Sequence, residues 1–233
     1  FMAGSPLFWQ EYAAGLTGYG RVSADADSLP VLELATGGAP GLVLHAGTGS
    51  FICARAPDGA VHYAGGLGWK FGDPGSGFDL GRRGIARALL ELQGWTAPGA
   101  LGRALQAHTG LDGTAALTRF YYNDTDANAR IAAFAPVVLE LAAAGCTPAQ
   151  AALTATLLDL ADLADLVLAR LFSSPPPGNS PSKIPVGVSG AILNSPPAAG
   201  LLRGMATARG WPGKLQFITA PPIEGVRRLL ARE

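Results

Sequence analysis

Apolar positions change their period along the chain, and the changes mark the elements. Between residues 41 and 64 they fall in short runs: Gly41-Leu-Val-Leu-His45, Phe51-Ile-Cys-Ala-Arg55 and Ala60-Val-His-Tyr-Ala64. The first has the look of a buried strand, Pro57-Asp-Gly59 is turn chemistry, and the third alternates, so this block predicts strands closing in a hairpin. Ahead of it, Phe8 to Ala14 predicts a helix, followed by a Gly-rich loop and a short segment from Arg21 to Asp27. From residue 82 to 172 the period becomes helical. Ile85, Leu89 and Leu92 share one face, and Ile131, Phe134, Val138 and Leu141 share another, with Gly145 as the stop. Thr147-Pro148 predicts the start of a long helix, with Thr147 as N-cap and Pro148 in the first turn. Its stripe is Leu153, Leu157, Leu160, Ala164, Val167 and Leu171, and the domain core is its expected destination. Asp159, Asp162 and Asp165 step by three beside the stripe and predict a solvated acidic face. Ser173 to Ser182 reads as a loop. Ile184 to Gly190 then predicts a strand running into a turn, Pro197 to Arg209 a helix, Leu215 to Thr219 a strand, and Ile223 to Ala231 a terminal helix. This alternation of helix and strand predicts an α/β fold.

Composition narrows the class of protein. Of 233 residues, 48% are hydrophobic and 15% charged, enough apolar surface to exclude a disordered chain. Seventeen basic residues balance seventeen acidic ones, so no cationic excess is available for a nucleic-acid backbone and no nucleic acid is expected as partner. No apolar run reaches the ~18 residues of a membrane span, and no signal pattern opens the chain. The expectation is a soluble cytoplasmic protein without a membrane partner. Cys53 and Cys146 are too few for a disulfide framework, lack metal-ligand spacing, and are expected as reduced thiols.

Three segments carry candidate chemistry. Gly47-Thr48-Gly49-Ser50 falls between two predicted strands, where a tight turn offers backbone N–H groups and two hydroxyls to an anion. Upstream, Asp25 and Asp27 are carboxylates able to take a proton from a hydroxyl nucleophile. Downstream, Gly65, Gly66, Gly68, Gly72, Gly75, Gly77 and Gly81 fall within 17 residues, with Trp69, Phe71, Phe78 and Leu80 interleaved. Glycine at that density costs conformational entropy and points to sharp turns or close approach of backbone to a ligand. The aromatic anchors predict a packed, shaped loop. Its carboxylate, Asp73, suits a sugar, whose adjacent hydroxyls need fixed acceptors. His45, His62 and His108 are scattered and read as packed or surface histidines. Neither a G-x-S-x-G elbow nor a G-x-x-x-x-G-K-[ST] loop occurs.

The order of these segments resembles one family. An aspartate, 20 residues to G-T-G-S, then 15 more to G-G-x-G-x-x-x-G-D-x-G-S-G is similar to the N-acetylglucosamine kinase branch of the BadF/BadG/BcrA/BcrD ATPase family. Val188-Ser-Gly-Ala-Ile-Leu193 resembles that family's adenosine-site strand and turn, and Pro222-x-x-Gly225 its closing segment. The resemblance runs from about Ala13 to Arg232. It implies the actin-like ATPase (ribonuclease H-like) fold of sugar kinases in two lobes, with residues 1–40 the remainder of an N-terminal lobe and 41–233 the C-terminal lobe. It implies Asp27 as catalytic base. It implies Thr48, Gly49 and Ser50 as the second phosphate loop, Gly66, Leu67, Gly68 and Asp73 as lining of the amino-sugar pocket, and Gly190 and Ala133 as the adenosine border. It implies ATP and Mg2+ as cofactors and a small-molecule amino sugar as partner. Family members often dimerise through the helical C-terminal lobe, which makes the helix from Pro148 to Leu171 the candidate interface of a homodimer, second to its role as core.

The sequence departs from the family in three places. Leu67 stands where the family usually has Trp, with Trp69 nearby as a substitute. Pro74 stands where it usually has Glu. The first phosphate loop, a hairpin reading roughly D-G-G-G-T-K/R, does not precede Ala13. The resemblance therefore implies a longer protein with roughly 60–100 residues before Phe1, since that loop supplies an acidic magnesium ligand and glycines for the ATP phosphates. Two alternatives remain open at this point. One is an ATPase of the same fold that activates a partner enzyme, although such activators carry iron–sulfur cysteines in a pattern that Cys53 and Cys146 lack. The other is a non-catalytic sugar-binding module.

Overall fold

The computed structural model describes residues 6–20, 22, 24–122, 125–172 and 184–232. The predicted loop Ser173 to Ser182, and Arg21 and Ser23 of the predicted segment 21–27, lie outside them.

Five strands form one mixed sheet: β1 (Gly41–Ala46), β2 (Ser50–Arg55), β3 (Val61–Gly65), β4 (Val186–Ser189) and β5 (Leu215–Phe217), in the order β3-β2-β1-β4-β5. β1, β2 and β3 are an antiparallel meander, while β4 and β5 run parallel to β1. Ten helices surround the sheet among the described residues: α1 (Pro6–Ala14), α2 (Leu29–Thr36), α3 (Gly77–Leu92), α4 (Ala100–Thr109), α5 (Thr114–Tyr122), α6 (Ala127–Ala132), α7 (Ala135–Ala143), α8 (Thr147–Phe172), α9 (Pro196–Ala208) and α10 (Pro222–Leu230). The predicted strands and most predicted helices stand, and the fold is α/β.

Strand alternation sends side chains to two cores. Leu42, Leu44, Ala46, Ile52 and Ala54 face the larger one, built with α3, α4, α7, α8 and α9. Val43 and Cys53 face the smaller one, with Val31, Leu32 and Ala35 of α2. The stripe of α8 goes into the larger core: Leu153, Leu157, Leu160 and Ala164 are fully buried. Val167 and Leu171 pack on its edge. Burying one such leucine contributes about 1.5–3 kcal/mol. Among the described residues no single helix is long and apolar enough to cross a membrane.

Four local readings are corrected. First, helix α2 carried no expectation, yet Ser28 at the N-cap, Pro30 in the first turn and left-handed Gly37 (φ 58°) at the C-cap are ordinary helix punctuation. The buried carboxylate of Glu33 pairs with Arg232 at 2.8 Å, just beyond α10, and so ties the two helices together. Second, Phe78 and Leu80 are not loop anchors. Ser76 caps α3 by accepting the Asp79 N–H at 3.0 Å, so the helix begins inside the glycine run. Third, the apolar face from Ile131 to Leu141 belongs to two helices, because Pro136 lacks the N–H that would bond Ala132 and forces a restart. Thr147 likewise lies inside α8 rather than capping it. Fourth, the acidic steps on α8 are paired rather than merely solvated. Asp159 meets Arg83, Asp162 meets Arg209 at 2.7 Å, and Asp165 takes Arg209 and the Trp211 indole N–H.

Candidate functional site

The parallel pair β1 and β4 ends where three loops converge. The Gly47–Ser50 turn follows β1, and it is short enough that Gly47 N–H bonds Gly49 O at 2.9 Å. Helix α3 docks its first turn on that loop. Gly77 N–H donates to Gly47 O at 2.7 Å and Phe78 N–H to Thr48 O at 3.1 Å. The helix N-terminus thus spends its own donors on loop carbonyls. The N–H groups of Thr48 and Gly49 have no acceptor among the described residues, and Thr48 is exposed. Unpaired N–H groups in a glycine turn are the kind of backbone that can receive an anion.

Gly190 follows β4 at φ 94°, and a Cβ on it would lie 2.2 Å from the Ala46 carbonyl oxygen. Ile192 N–H also bonds that oxygen at 3.2 Å. The turn after β4 therefore sits flush against the end of β1 and the start of the Gly47–Ser50 hairpin. Ala133 lies in the break between α6 and α7, which packs against the same end of α3. A Cβ on Gly81 would strike Ile131 O at 2.1 Å, and one on Gly77 would meet Ala135 at 3.7 Å and Gly47 O at 3.1 Å. Hairpin, Gly190 turn and Ala133 break are accordingly neighbours through α3 and β1.

Asp73 is buried at 5% exposure, and its Oδ1 has no hydrogen-bond partner. Its Oδ2 lies 3.1 Å from where a Gly49 Cβ would stand, so the carboxylate is set against the Gly47–Ser50 hairpin. Burial pushes its pKa up, the Gly68 N–H opposes the shift, and Asp79 adds to it. Asp73 Oδ1 is thus a buried acceptor with unused hydrogen-bonding capacity. Gly66 (φ 67°) packs its backbone on Phe51, where a Cβ would come within 3.2 Å of the Phe51 Cβ. Leu67 is 71% exposed, and Trp69 leans on Phe78 at 5.5 Å between ring centroids. Pro74, at the family's usual Glu position, uses its carbonyl to accept the Ser50 hydroxyl at 2.7 Å.

Asp27 and Asp25 are both exposed in the stretch leading into α2. The charge of Asp27 reaches His45, the penultimate residue of β1. Burial pushes the His45 pKa down and Asp27 opposes that shift. The His45 ring stacks on Phe51 at 4.9 Å, and its Nε2 is 3.7 Å from the Gly47 Cβ position. Asp27 therefore lies within electrostatic reach of His45, near the end of β1 that leads into the Gly47–Ser50 hairpin. The neighbouring Ser28 is buried, and with Tyr63 it acts on the Cys53 thiol. Burial raises the Cys53 thiol to about 11 against the opposing influence of Tyr63, Ser28 and Arg55, an unreactive state. Cys53 faces the smaller core and Cys146 the larger, so the sheet separates the two thiols.

Residue-level reading missed Asp79 and Thr156. Asp79 is 6% exposed and accepts hydrogen bonds from Arg82, Arg83 and Thr156. Burial raises its pKa, but those bonds win and hold it below the usual carboxylate range. The spacing Ser76-x-x-Asp79 is a capping signature that would have marked it as helical.

The molecule is thus an α/β protein with a mixed sheet, beside whose parallel strand ends a glycine hairpin, a carboxylate-bearing glycine turn and a third glycine turn gather. The chain belongs to the BadF/BadG/BcrA/BcrD ATPase family, which it matches over residues 9–225. A solved structure from Chromobacterium violaceum, described as a putative N-acetylglucosamine kinase, superposes with a TM-score of 0.72 at 28% identity, over 96% of this chain and 70% of that one. Another from Porphyromonas gingivalis, with the same description, superposes at 0.65 and 21% identity, over 86% of this chain and 63% of that one. The fold is that of actin-like ATPases of the sugar-kinase type, and the chain is a kinase-like ATPase of that family. No curated protein matched significantly.

Proposed function

We propose that this chain carries the sugar-binding and second phosphate-binding elements of an ATP-dependent amino-sugar kinase acting on the 6-hydroxyl of N-acetylglucosamine or glucosamine. One observation carries the reading. The buried Asp73 carboxylate, with Oδ1 unpartnered, is packed against Gly49, so a hydroxyl acceptor and an anion cradle lie side by side. Family membership and the 28%-identical relative support the same reaction class.

In this reading residues 41–233 are the C-terminal lobe, and α2, within the remnant 1–40, packs directly on its sheet. Asp73 accepts hydrogen bonds from sugar hydroxyls and fixes the ring. The Thr48 and Gly49 N–H groups receive the negative oxygens of ATP, and the Gly190 and Ala133 turns border its adenosine. Asp27 orients the 6-hydroxyl and takes its proton. Positioning and electrostatic stabilisation do most of the work in phosphoryl transfer. Magnesium neutralises phosphate charge and travels with ATP. Among the described residues no three His, Cys, Asp or Glu side chains come together to hold it, so none is assigned as its ligand.

The test is Asp27→Asn in the full-length protein. Phosphoryl transfer to the amino sugar should fall by about 100-fold or more while sugar binding is kept, the usual signature of a lost general base. Unchanged turnover would remove Asp27 from the role and turn attention to Asp25.

A further inference from the structure

The turn that carries Asp73 is held from two sides. From the sheet, the Ser50 hydroxyl donates to Pro74 O at 2.7 Å. From the helices, Gly75 N–H donates to Thr156 Oγ1 at 2.8 Å. Thr156 is fully buried in the middle of α8 and donates its own proton to Asp79 Oδ2 at 2.6 Å. That same oxygen accepts Arg83 Nε at 2.8 Å, Oδ1 accepts Arg82 at 2.7 Å, and Arg83 reaches on to Asp159 of α8. A threonine hydroxyl has one proton and two lone pairs. A carboxylate held ionised by two arginines can only accept. It therefore claims the Thr156 proton and leaves a lone pair facing Gly75 N–H, which fixes the direction of the whole relay.

The relay governs a short lever. Gly75 sits at φ 81°, and a Cβ there would lie 2.6 Å from Leu160 Cδ2, so the turn is pressed onto α8 one helical turn beyond Thr156. Asp73 is two residues away. Its Oδ1 has no partner of its own, so the position of that oxygen depends on the turn's backbone. Resting on the kinase reading above, we propose that Thr156 and Asp79 are positioning residues of the sugar site. Through the Gly75 N–H they set the seat of turn 73–76 on α8, and with it the placing of Asp73 against Gly49. Neither residue touches substrate.

The experiment compares Thr156→Val, which keeps the branched shape and deletes the hydroxyl, with Thr156→Ser, which keeps the hydroxyl. In the full-length protein, Thr156→Val should raise the amino-sugar KM about tenfold or more, on the scale of one lost hydrogen bond to a charge-linked group. The ATP KM should stay near wild type, and Thr156→Ser should restore the sugar KM. Amide exchange read by mass spectrometry without substrate should accelerate in residues 68–76 of Thr156→Val and not of Thr156→Ser. Asp79→Asn is the second arm, should the valine variant fail to fold, with the same two readouts expected. A purely structural role predicts a lower melting temperature with sugar KM and turn exchange untouched, and that result overturns the proposal. If the wild-type protein transfers no phosphate to an amino sugar, the kinase reading fails by itself. Unchanged exchange in 68–76 would then still refute the relay, and accelerated exchange would still support it.

Discussion

Gly190→Ala tests the contact that joins the β4 turn to the end of β1, where the Gly47–Ser50 hairpin begins. The residue adopts φ 94°, and its added Cβ would lie 2.2 Å from Ala46 O and 2.9 Å from Ala46 N. Ala46 is fully buried at the end of β1, and its carbonyl accepts Ile192 N–H at 3.2 Å. The obstruction is backbone already engaged in bonding, so it cannot swing aside as a side-chain tip would. Left-handed strain costs about 1–3 kcal/mol and overpacking about 1–3 kcal/mol more, together about 2–6 kcal/mol. At this chain length 1 kcal/mol moves the melting point by about 2–4 °C, so a drop of roughly 5–20 °C is expected. Gly204→Ala in α9 is the control. Nothing lies within 4 Å of its Cβ position, and alanine there should stabilise by about 0.5–1 kcal/mol. Melting followed by far-UV circular dichroism distinguishes the two, and nucleotide affinity measured below the transition should fall only in Gly190→Ala. A Gly190→Ala variant that melts within a degree of wild type would refute the packing argument.

Two further outcomes follow from buried charge. Burial raises the Asp73 pKa, so ionising it costs stability, a cost absent below about pH 4 and imposed as pH rises through its folded value. Asp73→Asn should therefore raise the melting point at pH 7, lose that gain below about pH 4, and weaken sugar binding; calorimetry across pH checks all three. Glu33 is fully buried while its partner Arg232 is half exposed, so Arg232→Ala should destabilise by about 2–4 kcal/mol, below the limit for a fully buried pair. Adding Glu33→Leu should recover much of that loss in denaturant titration, whereas an additive double variant would contradict the pairing.

The elements most legible in the sequence were those whose signal is local. The runs at 51–55 and 60–64 became β2 and β3 because the alternation of the second and the turn at Pro57-Asp-Gly59 between them need no distant partner. The glycine-rich block was recognisable as close-approach backbone, and Gly66, Gly68, Gly72 and Gly75 do adopt positive φ. Its end was misread, because Phe78 and Leu80 look like loop anchors until Ser76 is seen capping a helix. Asp73 was legible as a carboxylate among glycines, but its burial and idle Oδ1 come from packing against Gly49. The relay through Thr156 and Asp79 was not legible at all. It joins positions 77 residues apart, and a threonine inside an apolar helical stripe gives no sign of which turn it meets. The aspartates of α8 show the same limit: the step of three was visible, while Arg83 and Arg209 arrive from elsewhere in the chain.

The central claim is a transfer of phosphate to an amino sugar, and ADP release from magnesium-ATP tests it most directly. The full-length protein would be assayed without sugar, with glucosamine and with N-acetylglucosamine. Release that depends on one of the two sugars, with stoichiometric sugar phosphate formed, is the predicted result. Release at the same rate in all three arms, or none in any, would contradict the account.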